Sequence, residues 1–135
     1  MTDAWLRKVG PLLLGGGLAL ATGATAGADE LRIGFLAPTT GIFAAVGKDM
    51  VDGFQMYLDQ VKGNFSGAQI KFIVEDEQAK PDTAVTRAKK LILQDKVHML
   101  VGGLLASSGY ALAPVSTAEK TLYIIPISAA ETGTT

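Results

Sequence analysis

The sequence contains no cysteine, which excludes both disulfide bonds and thiolate metal sites from this chain of 135 residues. It contains one histidine, His98, and this scarcity argues against Ser-His-acid triads. Only 19% of the residues are charged, and the 12 basic side chains nearly balance the 13 acidic ones. Because a nucleic-acid-binding protein needs a basic face, no nucleic-acid partner is expected.

The glycines do not form a nucleotide-binding motif. No G-x-G-x-x-G occurs between Gly34 and Gly47, and Gly102-Gly103 is not followed by the lysine and Ser/Thr of a P-loop. Ser107-Ser108 lacks the G-x-S-x-G flanks of a hydrolase nucleophile. His98 stands at the start of a predicted strand, opposite the end where a ligand would bind. We therefore expect a protein that is not an enzyme and that uses no cofactor and no metal.

The first 28 residues have the three-part layout of a secretory signal. Arg7 and Lys8 precede a glycine-rich apolar run, and a small-x-small pattern ends at Ala28. The apolar run is shorter than the ~20 residues that a membrane-spanning helix needs. We expect cleavage after Ala28, so that Asp29 becomes the first residue of an exported protein.

Short apolar runs alternate with amphipathic segments along the rest of the chain. The apolar runs predict buried strands at Leu31–Ala37, Gln69–Val74, His98–Gly102 and Leu122–Ile127. The amphipathic segments predict helices at Lys48–Val61, Pro81–Gln94 and Ala111–Glu119. Pro114 is expected near the first turn of the last helix, or at a kink in it. Right-handed strand–helix–strand units of this kind predict an α/β domain with a parallel sheet between helices.

Ligands of open parallel sheets bind beyond the carboxyl ends of the strands, where three loops of this chain are expected. These loops are Pro38–Gly47, Gly102–Tyr110 and Ile127–Thr135, and all are rich in Gly, Ser, Thr and Ala. Such loops let backbone N–H groups and hydroxyls approach a small anion at a helix N-terminus. The alternative for Ser107 and Ser108 is that they only cap the following helix.

The run Glu75-Asp76-Glu77 is a cluster of carboxylates at a predicted strand end. Clustered carboxylates can bind a hard metal ion or perform acid–base chemistry. We favour a structural role, in which one carboxylate accepts hydrogen bonds from loop N–H groups and the others are solvated. Lys89-Lys90 is expected on a solvated helix face.

Three stretches within residues 31–131 resemble one family, the periplasmic substrate-binding proteins of ABC transporters of the leucine/isoleucine/valine-binding type. They are IGFLAPTTGIFAAVGKDMVDGFQMYLD, IVEDEQAKPDTAVTRAKKLILQDKVHMLVGG and LYIIPISAA. The resemblance implies a parallel-sheet, Rossmann-like lobe of a type I periplasmic binding protein, which delivers a small carboxylate to a membrane permease. It divides the chain into a signal peptide, 1–28, and an N-terminal lobe, 29–135, that is truncated before the second lobe.

The resemblance also implies which residues contact the ligand in this lobe. They are Val46, Leu105, Ala106, Ser107, Ser108, Ser128, Ala129 and Ala130. Amino-acid binders of the family often have an aromatic residue at the position of Val46 and threonine at that of Ala130. These departures make an aromatic or aliphatic acid competitive with a branched-chain amino acid as the ligand. The alternative function is the ligand-binding ectodomain of a sensory receptor with the same fold.

Overall fold

Strands and helices alternate along residues 30–127, the part of the chain that the computed structural model describes. The elements are β1 (Glu30–Ala37), a 3-10 turn (Gly41–Phe43), α1 (Ala44–Gln60), β2 (Asn64–Phe65), β3 (Ala68–Asp76), α2 (Pro81–Leu93), β4 (Met99–Gly102), α3 (Ala106–Ala118) and β5 (Leu122–Ile124). The predicted signal peptide and the predicted ligand residues Ser128, Ala129 and Ala130 lie outside the described residues.

The strands form one sheet in the order β2-β3-β1-β4-β5. β1 lies between β3 and β4 and is parallel to both, and β5 is parallel to β4. Only β2 is antiparallel, and it pairs with the start of β3. The predicted α/β class and parallel sheet are therefore confirmed, whereas the two-residue strand β2 was not predicted.

The side chains of β1 alternate between the two faces of the sheet, as the pleat of a strand requires. Ile33 and Phe35 are buried on the face covered by α1. Leu36 is buried on the opposite face, against α2 and α3. Between them Gly34 leaves room for Leu91, because a Cβ at Gly34 would lie 3.0 Å from Leu91 Cδ1. Both faces of the central strand are thus closely packed.

Three phenylalanines fix α1 on the sheet. The ring of Phe54 on α1 stacks on that of Phe72 on β3, with centroids 4.8 Å apart. The Phe35 ring on β1 contacts both, at 5.4 Å from each. Aromatic pairs of this geometry stabilise packing by about 0.5–1.5 kcal/mol beyond area burial. The cluster therefore holds the middle of α1 against β1 and β3.

The second helix follows its sequence pattern closely. Pro81 occupies the first turn, where its missing N–H costs no hydrogen bond, and Asp82 complements the positive end of the helix dipole. The inward face buries Ala84, Ala88 and Leu91. The predicted helix Pro81–Gln94 therefore ends within one residue of the observed α2.

The other two helices begin earlier than predicted. α1 starts at Ala44 instead of Lys48, directly after the 3-10 turn. α3 starts at Ala106 instead of Ala111, so Pro114 is its ninth residue. The expected place of Pro114, near a first turn, is therefore wrong. Its ring leaves the carbonyl of Tyr110, four residues earlier, without the usual helical N–H donor.

One face of the sheet is only partly covered by the described residues. α1 covers β1 and β3, but an open apolar cavity of about 470 Å³ remains between α1 and the strands β4 and β5. Its lining is Phe35, Met50, Gly53, Phe54, Tyr57, Met99, Val101, Ile124, Pro126 and Ile127. Across residues 30–127, no helix combines the length and the apolar character that a membrane crossing demands.

Candidate functional site

The first loop of the site runs from the end of β1 into α1. Thr39 and Thr40 are exposed, and both are held by Asp76 at the end of β3. The Thr39 N–H donates to Asp76 Oδ1 at 2.9 Å, and the Thr40 hydroxyl donates to Oδ2 at 2.5 Å. α1 follows closely, because a Cβ at Gly47 would lie 2.0 Å from the Pro38 carbonyl oxygen. The loop is therefore anchored at both of its ends.

Val46 lies in the first turn of α1, not in the preceding loop as expected. Its side chain is 44% exposed. The helix start places it near the carboxyl edge of the sheet, beside the first loop. The structure therefore leaves Val46 available for contact with a ligand at this edge.

The second loop, which we call the serine loop (residues 102–108), turns sharply at two glycines. Gly102 and Gly103 have φ values of +116° and +86°, a region that side chains disfavour. A Cβ at Gly102 would lie 2.1 Å from the Leu36 carbonyl oxygen. The Gly103 N–H donates to that oxygen at 2.9 Å, and the Tyr123 hydroxyl donates to the Gly102 carbonyl at 3.1 Å. Glycine is thus required for the loop to pass this close to β1.

The two serines occupy different environments in the first turn of α3. Leu105, with an extended backbone, is the N-cap residue, and no side chain of the described residues caps the helix. The alternative that Ser107 and Ser108 only cap the following helix is therefore wrong. Ser107 is exposed, whereas Ser108 is fully buried, and Leu105 and Ala106 are half-buried. Among residues 30–127, nothing accepts a hydrogen bond from the first N–H groups of α3, so these groups are available to an acceptor from elsewhere.

Glu77 lies beneath the serine loop. Its side chain is fully buried, and its Oε1 accepts a hydrogen bond from the Leu104 N–H at 2.8 Å. Its own N–H donates to the Ala37 carbonyl at 3.1 Å. Glu77 Oε2 and Ser108 Oγ are both buried, and neither has a well-formed hydrogen bond within residues 30–127. The Ser108 hydroxyl nevertheless lies close enough to act electrostatically on the Glu77 carboxyl.

The three consecutive carboxylates contact three different parts of the molecule. Glu75 forms ion pairs with Arg87 at 3.3 Å and Lys90 at 2.6 Å, both on α2. Asp76 binds the first loop and Glu77 the serine loop. The expectation that two of them are solvated is therefore wrong. Lys90 also pairs with Asp95 at 3.0 Å, so it is not simply a solvated lysine.

The neighbouring carboxyl groups of Asp76 and Glu77 have pKa values shifted in opposite directions. Burial acts to raise the pKa of Asp76, but hydrogen bonds from Thr40, Gln78 and Thr39 outweigh it and hold that pKa below its usual value. Burial raises the pKa of Glu77, and the Leu104 N–H and the Ser108 hydroxyl only partly offset this effect. Hydrogen bonds therefore determine the direction of the pKa shift of Asp76, and desolvation determines that of Glu77.

His98 lies outside the site. It directly precedes β4 at the amino-terminal edge of the sheet, where its Nδ1 accepts from the Arg32 N–H at 2.9 Å. Its own N–H donates to the Arg32 carbonyl at 2.8 Å. The structural interpretation of this histidine is confirmed. Across residues 30–127, no three His, Asp or Glu side chains come together as a metal site.

The open apolar cavity is lined by no residue of the first loop or the serine loop, although Ile127, the first residue of the third predicted loop, lies in its lining. It lies on the face of the sheet and has no charged side chain in its lining. A small carboxylate needs hydrogen-bond donors, which occur at the carboxyl edge instead. Sequence reasoning placed the first loop and the serine loop at this edge and expected one carboxylate to hold a loop, but it did not foresee that both Asp76 and Glu77 do so, or that Tyr123 donates to Gly102. The sequence signal for Asp76 and Glu77 was their position directly at the end of a predicted parallel strand.

The comparison with known families and sequences agrees with this fold. Residues 30–135 match the family described as periplasmic binding protein. The leucine-, isoleucine-, valine-, threonine- and alanine-binding protein of Pseudomonas aeruginosa is 30% identical over 105 residues, covering 76% of this chain and 28% of the relative. The Leu/Ile/Val-binding protein of Escherichia coli is 26% identical over 123 residues, covering 90% of this chain and 33% of the relative. The chain thus spans about a third or less of these relatives.

Two solved structures show the same fold with different ligands. A solute-binding protein of an ABC transporter from Rhodopseudomonas palustris, in complex with 3,4-dihydroxybenzoic acid, matches with a TM-score of 0.72 and 29% identity over 74% of this chain and 28% of that one. A branched-chain amino acid transporter substrate-binding protein from Streptococcus pneumoniae, in complex with isoleucine, matches with a TM-score of 0.72 and 25% identity over 76% of this chain and 30% of that one. The chain belongs to the periplasmic binding protein family, of the type I, leucine/isoleucine/valine-binding kind.

Proposed function

We propose that this chain is the N-terminal lobe of an extracytoplasmic solute-binding protein that delivers a small carboxylate to an ABC-transporter permease. The observation that carries the proposal is the first turn of α3, which forms the end of the serine loop at the carboxyl edge of the sheet and is capped by no side chain of residues 30–127. Its free N–H groups and the positive end of the helix dipole favour a carboxylate. The exposed Ser107 adds a hydroxyl donor there.

The ligand class that we propose is an amino acid or an aromatic or aliphatic acid. Relatives named for branched-chain amino acids and structures named with benzoic acids occur together among the similar proteins. Val46 at this edge is smaller than an aromatic residue and offers no polar group. We include Leu105, Ala106 and Ser107 in the proposed contact surface, with Ser128, Ala129 and Ala130 as further proposed contacts. Ser108 is fully buried, so it is not part of this surface.

Calorimetric titration of the natural full-length protein tests this proposal. The probes are L-isoleucine, L-leucine, 4-hydroxybenzoate and 3,4-dihydroxybenzoate, each paired with an analogue that lacks the carboxylate, such as isoleucinol. We expect at least one carboxylate to bind and its analogue to bind at least tenfold more weakly, since a charge-assisted hydrogen bond contributes roughly 1.5–3 kcal/mol. Equal binding of the two, or no binding of any probe, would refute the proposal.

We also propose that residues 1–28 are a signal peptide and that the protein acts in the periplasm. The support is the ordered layout of the basic residues, the apolar run and the site at Ala28, together with the periplasmic family. N-terminal sequencing of protein recovered from the periplasm should begin at or near Asp29. Recovery of a mature protein that starts at Met1 would contradict this location.

A further inference from the structure

The end of β3 holds two loops of the site at once. Asp76 accepts hydrogen bonds from the first loop, and Glu77 reaches the other way, past the end of β1, to the serine loop. The two loops follow adjacent strands, β1 and β4, and a ligand at this edge contacts both. The distance between them is therefore set partly by a strand that contributes no proposed ligand contact.

The burial of Glu77 lowers the stability of the fold. It is fully buried, and none of the Lys, Arg or His side chains described between residues 30 and 127 forms an ion pair with it. Burial of a carboxylate without a cation destabilises a fold, and an apolar residue of the same volume is often tolerated or preferred. The stability of the fold therefore does not explain a glutamate here.

The serine loop has few other restraints. Gly102 and Gly103 give its backbone unusual freedom, and two hydrogen bonds, one to Leu36 and one from Tyr123, hold these glycines. The Glu77 contact to Leu104 is the next restraint before α3 begins. It lies immediately before the N-cap residue, so it bears directly on where the first turn of α3 points.

We infer that Glu77 is a positioning residue: its buried carboxyl holds the serine loop, through the hydrogen bond from the Leu104 N–H, in the arrangement that binds the ligand. Glu77 itself touches no ligand. The effect on ligand affinity rests on the proposed function, whereas the effect on the loop does not. The two can therefore be measured separately.

The loop effect is tested by amide hydrogen exchange on the natural full-length protein without ligand. Glu77→Met keeps the volume but removes both oxygens, and Glu77→Gln keeps an acceptor for Leu104 and adds a donor toward Ser108. We expect Glu77→Met to speed exchange of the Leu104 amide roughly ten- to a hundredfold, and Glu77→Gln to restore slow exchange. Glu75→Met is the matched control, because it removes a carboxylate of the same strand end that faces α2.

An unchanged Leu104 exchange rate in Glu77→Met would overturn the inference. So would equal acceleration in Glu75→Met, since that result would show general loosening of β3. If Glu77→Met does not fold, an NMR pH titration of the wild type decides. The chemical shift of the Leu104 amide proton must then change with pH at the same midpoint as that of the Glu77 carboxyl carbon, and not at the midpoint of the neighbouring Asp76 or Tyr123. A Leu104 chemical shift that does not follow the titration of Glu77 overturns the inference.

The ligand effect is tested by titration with whichever of L-isoleucine or 4-hydroxybenzoate binds the wild type. We expect Glu77→Met to weaken binding at least tenfold, with Glu77→Gln and Glu75→Met within about threefold of wild type. Faster loop exchange with unchanged affinity would show that the loop position does not matter to the ligand, and would overturn the inference. If neither probe binds the wild type, the proposed function fails, and the exchange experiment still decides the role of Glu77 in the loop.

Discussion

At the scale of single residues, the ionisation of two adjacent carboxyl groups in this chain is controlled by different interactions. Asp76 is half-buried and receives hydrogen bonds from Thr39, Thr40 and Gln78. Glu77 is fully buried and has one clear donor, Leu104. Hydrogen bonds to the charged form favour ionisation, and burial opposes it. The two residues therefore respond to pH with opposite signs.

For Asp76 we expect a stabilising contribution at neutral pH that disappears in acid. Its folded pKa lies below the unfolded value of about 3.9, so the contribution is present above that pH and is lost as pH falls through the folded pKa. Asp76→Asn should lower the free energy of unfolding by roughly 1–3 kcal/mol at pH 7. The deficit should shrink below pH 4 in calorimetric melting curves. A deficit that is constant with pH would contradict this assignment.

For Glu77 the contribution to stability depends on pH in the opposite direction. Its folded pKa lies above the unfolded value of about 4.3, so its contribution is present below that pH and is lost as pH rises through the folded pKa. Glu77→Gln does not titrate, and its melting temperature relative to wild type should rise between pH 4 and pH 8. Asp76→Asn in the same buffers is the matched comparison. A relative melting temperature that falls over this range would show that Glu77 is stabilised as a carboxylate.

The limits of sequence reasoning are clearest at Ser107 and Ser108. Composition and strand order placed both at the correct edge of the sheet. Which of them is exposed depends on the residue at which α3 begins, because a shift of one helical position rotates a side chain by about 100°. The N-cap position is occupied by Leu105, which cannot cap, and the two serines after it indicate a later helix start. The burial of Ser108 was therefore not predictable from its neighbours.

At the scale of elements, prediction succeeded where a local signal was strong. Pro81, Asp82 and a clear apolar stripe marked α2, and its ends were predicted within one residue. β2 was missed because two residues, Asn64 and Phe65, cannot show a periodicity of their own. Its pairing arises instead from the turn at Gly67, whose N–H donates to the Asn64 side chain at 3.1 Å. This contact is local, and Asn64, Ser66 and Gly67 are the residues that could have indicated the turn from the sequence.

The helix α1 contains two glycines, Gly47 and Gly53, whose replacement by alanine is expected to change stability in opposite directions. A Cβ at Gly47 would lie 2.0 Å from the Pro38 carbonyl oxygen, so Gly47→Ala must displace backbone at the first loop. A Cβ at Gly53 meets nothing within 4 Å among the described residues. We expect Gly47→Ala to destabilise the protein by at least about 1–3 kcal/mol and Gly53→Ala to stabilise it by about 0.5–1 kcal/mol.

Thermal melting of the two alanine variants, side by side with wild type, measures this difference. Because both changes lie in the same helix, helix propensity affects them alike and the contrast isolates the contact with Pro38. Tolerance of Gly47→Ala would contradict the close approach of α1 to the first loop. Destabilisation by Gly53→Ala would show that another segment packs against α1 at the apolar cavity.

At the scale of the whole molecule, the open face of the sheet limits stability. Apolar side chains remain exposed there or nearby, among them Tyr57, Ile124 and Ile127, and Ile42 is 93% exposed. Exposed apolar patches of this kind favour association and weaken a fold that leaves them uncovered. The described residues therefore form a lobe whose core is closed on one side and open on the other.

The 135-residue chain prepared alone is accordingly expected to be marginally stable. Circular dichroism during heating should show a broad transition at low temperature, and a dye that binds exposed apolar surface should fluoresce before unfolding. A full-length protein carrying the same residues is the control and should melt cooperatively. A sharp transition of the isolated monomer at micromolar concentration would contradict the expectation.

The two outer edges of the sheet are open in different ways. Beyond β3 the sheet ends in β2, which is antiparallel and pairs only with Ala68 and Gln69, so the rest of β3 has no outer strand beside it among the described residues. Beyond β5, a parallel strand is left without a neighbour among the described residues. Either edge can accept a further strand, from the same protein or from another molecule. A strand added beside β5 lies at the far side of the sheet from Asp76 and Glu77, whereas one added beside β3 lies directly next to the strand end that holds both loops.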